Sequence, residues 1–261
     1  MLFVGIDLAW SPRNNTGIAL IKGDENGGRL ASAGIGVSDD SLVDYVRKGV
    51  GKASALVAVD APLIVRNNSG RRPADTLVSE LFRKYDAGAY PANRARLGAW
   101  SNGKVRGEEL VAGLERIGFS HNPYIKRFER TRKVFEVYPH PAMVVIFGLD
   151  HILRYKSKPN RASGFRVKEF AKYEALLKGL SKADPRLEVG DGLLLGRKLG
   201  GLSHVAMKRH EDTLDAVFCA YTAYYYWAHP EKCAVLGDMK NGYIVTPVKE
   251  SMRGMQKELF L

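Results

Sequence analysis

The sequence predicts an α/β protein. A mixed sheet, three antiparallel strands and then parallel strands, is flanked by helices and carries helical and loop insertions. Three observations predict it. Leu2 to Trp10, Thr16 to Lys22 and Leu30 to Val37 are short strand-like segments joined by turns, the pattern of an antiparallel meander. A helical stripe then separates the third segment from Ala55 to Asp60, a continuous apolar run typical of a buried central strand. A helix between two strands implies a crossover and parallel pairing.

The first strand, LFVGIDLAW, is apolar but for one carboxylate, and the second, TGIALIK, alternates. DENGG makes the turn to the third. Ser38 is placed to cap a helix whose first turn holds Asp39 and Asp40, with Leu42, Val43 and Val46 as its apolar stripe. ALVAVD ends at Asp60, and Pro62 stops it. Residues 64–72 read as a loop and Pro73 to Tyr85 as a helix with proline in its first turn. Residues 86–108 read as a long surface loop or lid with short helical pieces, followed by a helix from Glu109 to Gly118. KVFEVY, Lys133 to Tyr138, alternates as a strand ended by Pro139, and a helix begins at Ala142. His151 to Ser163 is basic and polar, a flexible loop, and Phe165 to Leu180 is helical by spacing. Leu187 to Leu199 is expected to be helical, and Glu211 to His229 is the clearest helix of all. Tyr243 to Pro247 is a late strand after a Lys-Asn-Gly turn. The whole, residues 1–261, is expected to be one domain with insertions near 64–130 and 150–205.

Composition excludes a disordered or collagen-like chain, and two cysteines exclude a disulfide-built scaffold. No apolar run reaches the ~18 residues a membrane helix needs, so no membrane partner is expected. MLFVGIDLAW has no basic leader and meets an acid at Asp7, which argues against a signal peptide and for a cytoplasmic location. The net charge is +12, and two stretches supply all of it: residues 66–106 carry net +6 and residues 121–172 net +8. Solvated loops and helix faces would account for this; so would a phosphate polymer as partner. The candidate nucleic-acid contacts, DNA or RNA, are Arg71, Arg72, Arg94, Arg96, Lys126, Arg127, Arg130, Arg132 and Lys133.

Acids interrupt the hydrophobic elements at a few places. Asp7 lies in the first strand, Asp60 closes the second core strand, and Glu136 lies in the alternating strand before Pro139. Asp212 and Asp215, three apart, share one face at the start of the longest helix. A carboxylate near a sheet core costs several kcal/mol, order of magnitude, unless paired or metal-bound. Mg²⁺ or Mn²⁺ would resolve the repulsion between several such acids, and two ions ~4 Å apart can serve phosphodiester hydrolysis. Each acid also has a local explanation: Asp7 could bind Arg13, Asp60 could be a turn acid, Glu136 could pair with an arginine, and Asp212 and Asp215 could favour a helix N-terminus. The stripe Ala216, Cys219, Ala220 and Ala223 would let that helix approach the sheet closely.

This constellation resembles the RNase H-like superfamily. Its members carry three antiparallel strands, a helix and further parallel strands, with acids from the first strand, the fourth strand and a late helix. GIDLAW, VAVDAPL, RRPAD, FEVYPHPA, HEDTLDAVFCAYTA and GDMKNGYIVTP are similar, in order and over nearly the whole chain, to the nucleases inferred for domain-of-unknown-function family 429. The resemblance implies Asp7, Asp60, Asp212 and Asp215 as metal ligands and catalytic residues, with Glu136 beside them as ligand or support. It implies a metal-dependent hydrolase of nucleic acid working by a two-metal mechanism. A non-catalytic nucleic-acid-binding protein of the same fold is the alternative. A nucleotide-dependent phosphotransferase is disfavoured, since GVGKAS at 49–54 lacks P-loop spacing. Junction cleavage would favour a symmetric homodimer, and the sequence leaves the oligomeric state open.

Overall fold

The computed structural model describes residues 1–253 apart from 160, 191 and 195. Strands β1 (Leu2–Asp7), β2 (Thr16–Asp24) and β3 (Gly27–Gly36) form the antiparallel meander. Helix α1 (Asp39–Val50) follows, capped where the Ser41 amide donates to the Ser38 hydroxyl at 3.2 Å. It crosses to β4 (Ala55–Val59), which pairs parallel with β1. Helices α2 (Pro73–Phe82), α3 (Arg94–Gly98) and α4 (Arg106–Arg116) lead to β5 (Ser120–His121) and β6 (Arg132–Glu136). Then come α5 (Pro139–Ile146), α6 (Ser163–Gly179), β7 (Leu187–Glu188), α7 (His204–Ala228), β8 (Cys233–Asp238) and β9 (Gly242–Pro247). Seven strands form one sheet in the order β5-β6-β4-β1-β2-β3-β7, antiparallel within the meander and parallel elsewhere. This is the mixed α/β architecture expected of an RNase H-like fold.

The two faces of the sheet follow from strand alternation. Phe3, Leu56, Ala58 and Phe135 pack with α7 on one face. Val4, Ile6, Val57, Val59 and Val134 pack with Leu42 and Val46 of α1 and Leu110 and Leu114 of α4 on the other. Glycine brings α7 down onto the sheet. A Cβ at Gly5 would lie 2.0 Å from the Ala216 carbonyl oxygen, and one at Gly17 would lie 1.8 Å from that of Asp212. The small-residue stripe of α7 thus meets backbone, not side chains, and any side chain at either glycine would push the helix off the strands. Among the described residues no helix is long and apolar enough to cross a membrane.

The structure corrects several sequence expectations. The long helix begins at His204, capped by Ser203, so Asp212 and Asp215 sit in its interior and not at its N-terminus. Leu187 opens a two-residue strand on β3, with a 3-10 turn over Gly196–Gly201, in place of a helix. Residues 86–108 carry α3, one of the short helical pieces expected there, but the helix expected from Glu109 starts earlier, at Arg106. The late strand Gly242–Pro247 pairs with β8, which sequence patterning had missed, in a separate hairpin.

Candidate active site

Register places the first two acids side by side. Ile6 pairs with Val59 across parallel strands, and the Asp60 amide donates to the Ile6 carbonyl at 2.8 Å, one residue beyond the ladder. Alternation puts Asp7 on the face of Phe3, and Asp60 on that of Leu56 and Ala58, which is the face α7 covers. Because Gly17 meets the Asp212 backbone directly, α7 delivers Asp212 and, one turn on, Asp215 beside these strand ends. Glu211, also buried, joins them.

Two lysines stand among the acids. Lys156, from the loop after α5, places Nζ 2.8 Å from Asp215 Oδ2, while the Tyr155 hydroxyl donates to Asp215 Oδ1 at 2.5 Å. Lys208 Nζ lies 2.7 Å from both Asp212 Oδ1 and Glu211 Oε1. Burial opposes the charge on Lys156, but Asp215, Asp7, Asp60 and Glu211 outweigh it and hold its ammonium well above the ordinary value. Its side chain is still 30 % exposed, so water screens part of that attraction. Burial holds the Asp7 carboxyl well above the carboxylate range; Lys156 opposes the shift, and Asp215, Asp60 and Asp212 reinforce it. Burial likewise pushes Asp60 up to about 7, against Lys156 and with Asp215 and Glu136. Burial raises Asp212 to about 6, against Lys208.

These shifts fix a sign for pH dependence. A carboxyl whose folded value is raised binds a proton in the native state over a range where the unfolded chain has lost it. Asp60 therefore favours folding less and less from about pH 4, its unfolded value, to about 7, its folded one. In EDTA, the melting temperature of wild type minus that of Asp60→Asn is expected to fall between pH 5 and pH 8. A flat difference would show that Asp60 ionises as freely as in the unfolded chain.

The acids of the cluster offer oxygen donors alone. Asp212 Oδ2 and Glu211 Oε2 are buried and accept no hydrogen bond. Asp7 and Asp60 face the Lys156 charge. Such oxygen-only ligands are those Mg²⁺ and Mn²⁺ take. Asp215 differs, since Tyr155 and Lys156 engage its two oxygens. Among the described residues, no three His, Cys, Asp or Glu side chains converge on a single point, and the cation at the centre of the cluster is the Lys156 ammonium. A cavity of about 320 Å³ opens onto the cluster, lined by Asp7, Trp10, Trp100, Lys156, Lys208 and Asp212 among others.

Glu136 is held by an arginine. It lies level with Val59, so alternation starts its side chain on the sheet face opposite that of Asp60, although both line one small cavity and Glu136 adds to the upward push on Asp60. There Arg72 donates to both its oxygens at 2.9 and 2.6 Å, and the Leu63 amide donates to Oε2 at 2.9 Å. Arg72 also pairs with Asp75 at 2.9 Å and is buried, out of reach of a polymer. The arginine-pairing explanation of Glu136 is thus the one realised.

The basic candidates divide. Lys126, Arg127, Arg130, Arg132 and Lys133 lie before or at the start of β6, whose Arg132 aligns with Ala55. Asp60 is five residues along from Ala55, roughly 16 Å at ~3.3 Å per residue, so this group sits at the opposite end of the sheet from the acids. Arg132 and Lys133 are spent on backbone carbonyls and, for Lys133, on Glu129. Gly49 to Ser54, the segment that lacks P-loop spacing, lies at that same end, where α1 leads into β4. Arg71 is exposed but bonded to Ser79 and the Ala89 carbonyl, and Arg94 grips Glu108 with contacts of 3.0 and 2.7 Å. Arg96 is exposed near the site, its guanidinium 5.1 Å from the centre of the Trp10 ring.

Sequence reasoning missed Lys156, Tyr155, Lys208 and Glu211. Lys208 was legible, being three and four residues before Glu211 and Asp212 on a helix. Lys156 was one of many cations in a basic loop, and nothing local marks it.

A family model described as "Protein of unknown function (DUF429)" matches residues 5–240. The chain belongs to the DUF429 family. The DUF429 match runs from within β1 through β8 and spans every acid of the cluster. Among curated proteins, none matches the chain.

Proposed function

We propose that this DUF429 protein is a divalent-cation-dependent phosphodiesterase acting on nucleic acid. One observation carries the reading: Asp7 and Asp60, adjacent on parallel strand ends, meet Asp212 from a glycine-docked helix around a cationic centre beneath an open cavity. Asp7, Asp60 and Asp212 would hold Mg²⁺ or Mn²⁺. The ion, when bound, supplies Lewis-acid stabilisation of negative charge on the phosphoryl oxygens. Asp215 serves differently from the other three. With Tyr155 it anchors Lys156, and the ammonium is a second positive charge for the phosphate, in the role two-metal sites give to a second ion. Lys208 fixes Asp212 and Glu211. Arg96 at the rim contacts the phosphate backbone.

A second reading, nucleic-acid binding without turnover, is favoured by Lys156, which already neutralises part of the cluster. Incubation of end-labelled single strands, duplexes, hybrids and four-way junctions with Mg²⁺ or Mn²⁺ separates the two. Products that require the metal are expected. Intact substrates that still shift in a gel would replace the hydrolase with the binding protein.

A further inference from the structure

A second, smaller cavity of about 80 Å³ adjoins the acid cluster. Asp60 lies in its wall, and Trp10 lines both cavities, so the two share one ring. Its remaining walls are mostly flat or small: Tyr90, Tyr138, Pro62 and Ala89. The buried Arg72–Asp75–Glu136 network also lines it. It is well below the size of a drug-like pocket and suits one planar ring. At its rim the Arg96 guanidinium lies 5.1 Å from the Trp10 ring centre and 5.7 Å from that of Tyr90. Tyr90 is 58 % exposed, and Trp100, on the wall of the larger cavity, is 59 % exposed. Two aromatic rings are therefore open to water on cavities that share Trp10, Tyr90 on the one lined by Asp60 and Trp100 on the one lined by Asp7.

Aromatic faces interleaved with arginine along a groove are what unpaired bases stack on, and every base has such a face. In a duplex the faces are covered by neighbouring base pairs and cannot use this ledge. The large basic group that could embrace a duplex, Lys126 to Lys133, lies at the far end of the sheet. We propose that the substrate is an unpaired strand whose bases flanking the scissile phosphate stack on Trp100 and on the Trp10–Arg96–Tyr90 ledge, with one base seated in the small cavity. This rests on the phosphodiesterase reading for the position of the phosphate, though stacking itself needs no turnover.

The test is binding in EDTA at fixed salt, by anisotropy, of a fluorescein-labelled thymidine homopolymer strand and of a blunt duplex of the same length. The strand is expected to bind about tenfold or more tighter than the duplex. Tyr90→Ala and Trp100→Ala, both at exposed positions, are each expected to weaken strand binding about tenfold and leave duplex binding unchanged, while Trp100→Phe restores it. Equal or tighter duplex binding, or alanine variants that bind the strand like wild type, would overturn the proposal. Cleavage in Mg²⁺ keeps the two ideas apart. Metal-dependent cutting of duplex alone, indifferent to both rings, sinks the unpaired-strand proposal and keeps the phosphodiesterase. Ring-dependent strand binding with no substrate cut supports the stacking ledge and removes the phosphodiesterase.

Discussion

Asp7→Asn protein is expected to lose metal-dependent cleavage by about a thousandfold while still binding nucleic acid. The factor corresponds to ~4 kcal/mol of lost stabilisation at the transition state, the scale of a cation's charge contribution. Asn keeps the shape of the side chain at the end of β1, so the strand, its register with β4 and the docking of α7 on Gly5 and Gly17 are undisturbed. What changes is charge. A buried carboxyl that burial already holds well above its ordinary range is replaced by a neutral amide, so folding is not penalised. Binding is expected to be kept or improved, since one negative charge leaves a groove that must receive phosphate. Lys156 keeps its contact with Asp215. Equal cleavage by wild type and Asp7→Asn protein would detach the acids from any hydrolysis.

Arg72→Ala is expected to be the most damaging single substitution for stability. Arg72 is fully buried, bonds Glu136 with two nitrogens, Asp75 with two, and the Ile64 carbonyl with one. Removing it leaves two buried carboxylates without their cation, which costs about 3–5 kcal/mol and lowers the melting temperature by ~10 °C or more. The same network ties the loop 63–72 and α2 to the end of β6, since Glu136 also takes the Leu63 amide and Asp75 the Ala92 amide at 2.9 Å each. Arg71→Ala, at the exposed neighbour, is the control and is expected to change melting little. A thermal scan of both variants decides it. If Arg72→Ala melts within ~2 °C of wild type, Glu136 and Asp75 have found other partners.

Much of this was legible in the sequence because it depends on local pattern. The meander follows from short turns between alternating runs, and α1 from Ser38 and its two aspartates. Asp7 and Asp60 stand out because acids are rare at the ends of apolar runs, and the alanine stripe of α7 announces a close approach that Gly5 and Gly17 complete. What was not legible depends on register between distant strands. The alternation of β6 makes Glu136 a partner of Val134 in facing, but only its alignment with Val59 shows that this face is turned from Asp60. Arg132 and Lys133 look like polymer contacts by composition, and only parallel pairing with Ala55 and Leu56 sends them to the far end of the sheet. The two-residue β7 is too short for any periodicity to mark it. Lys156 is selected by the packing of Tyr155 under Asp215, a contact across 60 residues that no spacing announces.

That the carboxylates at the strand ends form a divalent-cation site is tested most directly by melting the metal-free protein with and without Mn²⁺, beside an Asp7→Asn, Asp60→Asn double variant. A ligand that binds only the folded state raises its stability, by about 2.7 kcal/mol at a hundredfold excess over its dissociation constant. Mn²⁺ is expected to raise the melting temperature of wild type by several degrees, about 5 °C or more at that excess, and to leave the double variant where it was. The same response in both proteins, or none in wild type, would contradict a cation site at Asp7 and Asp60 and leave Lys156 as the permanent counter-charge of the cluster.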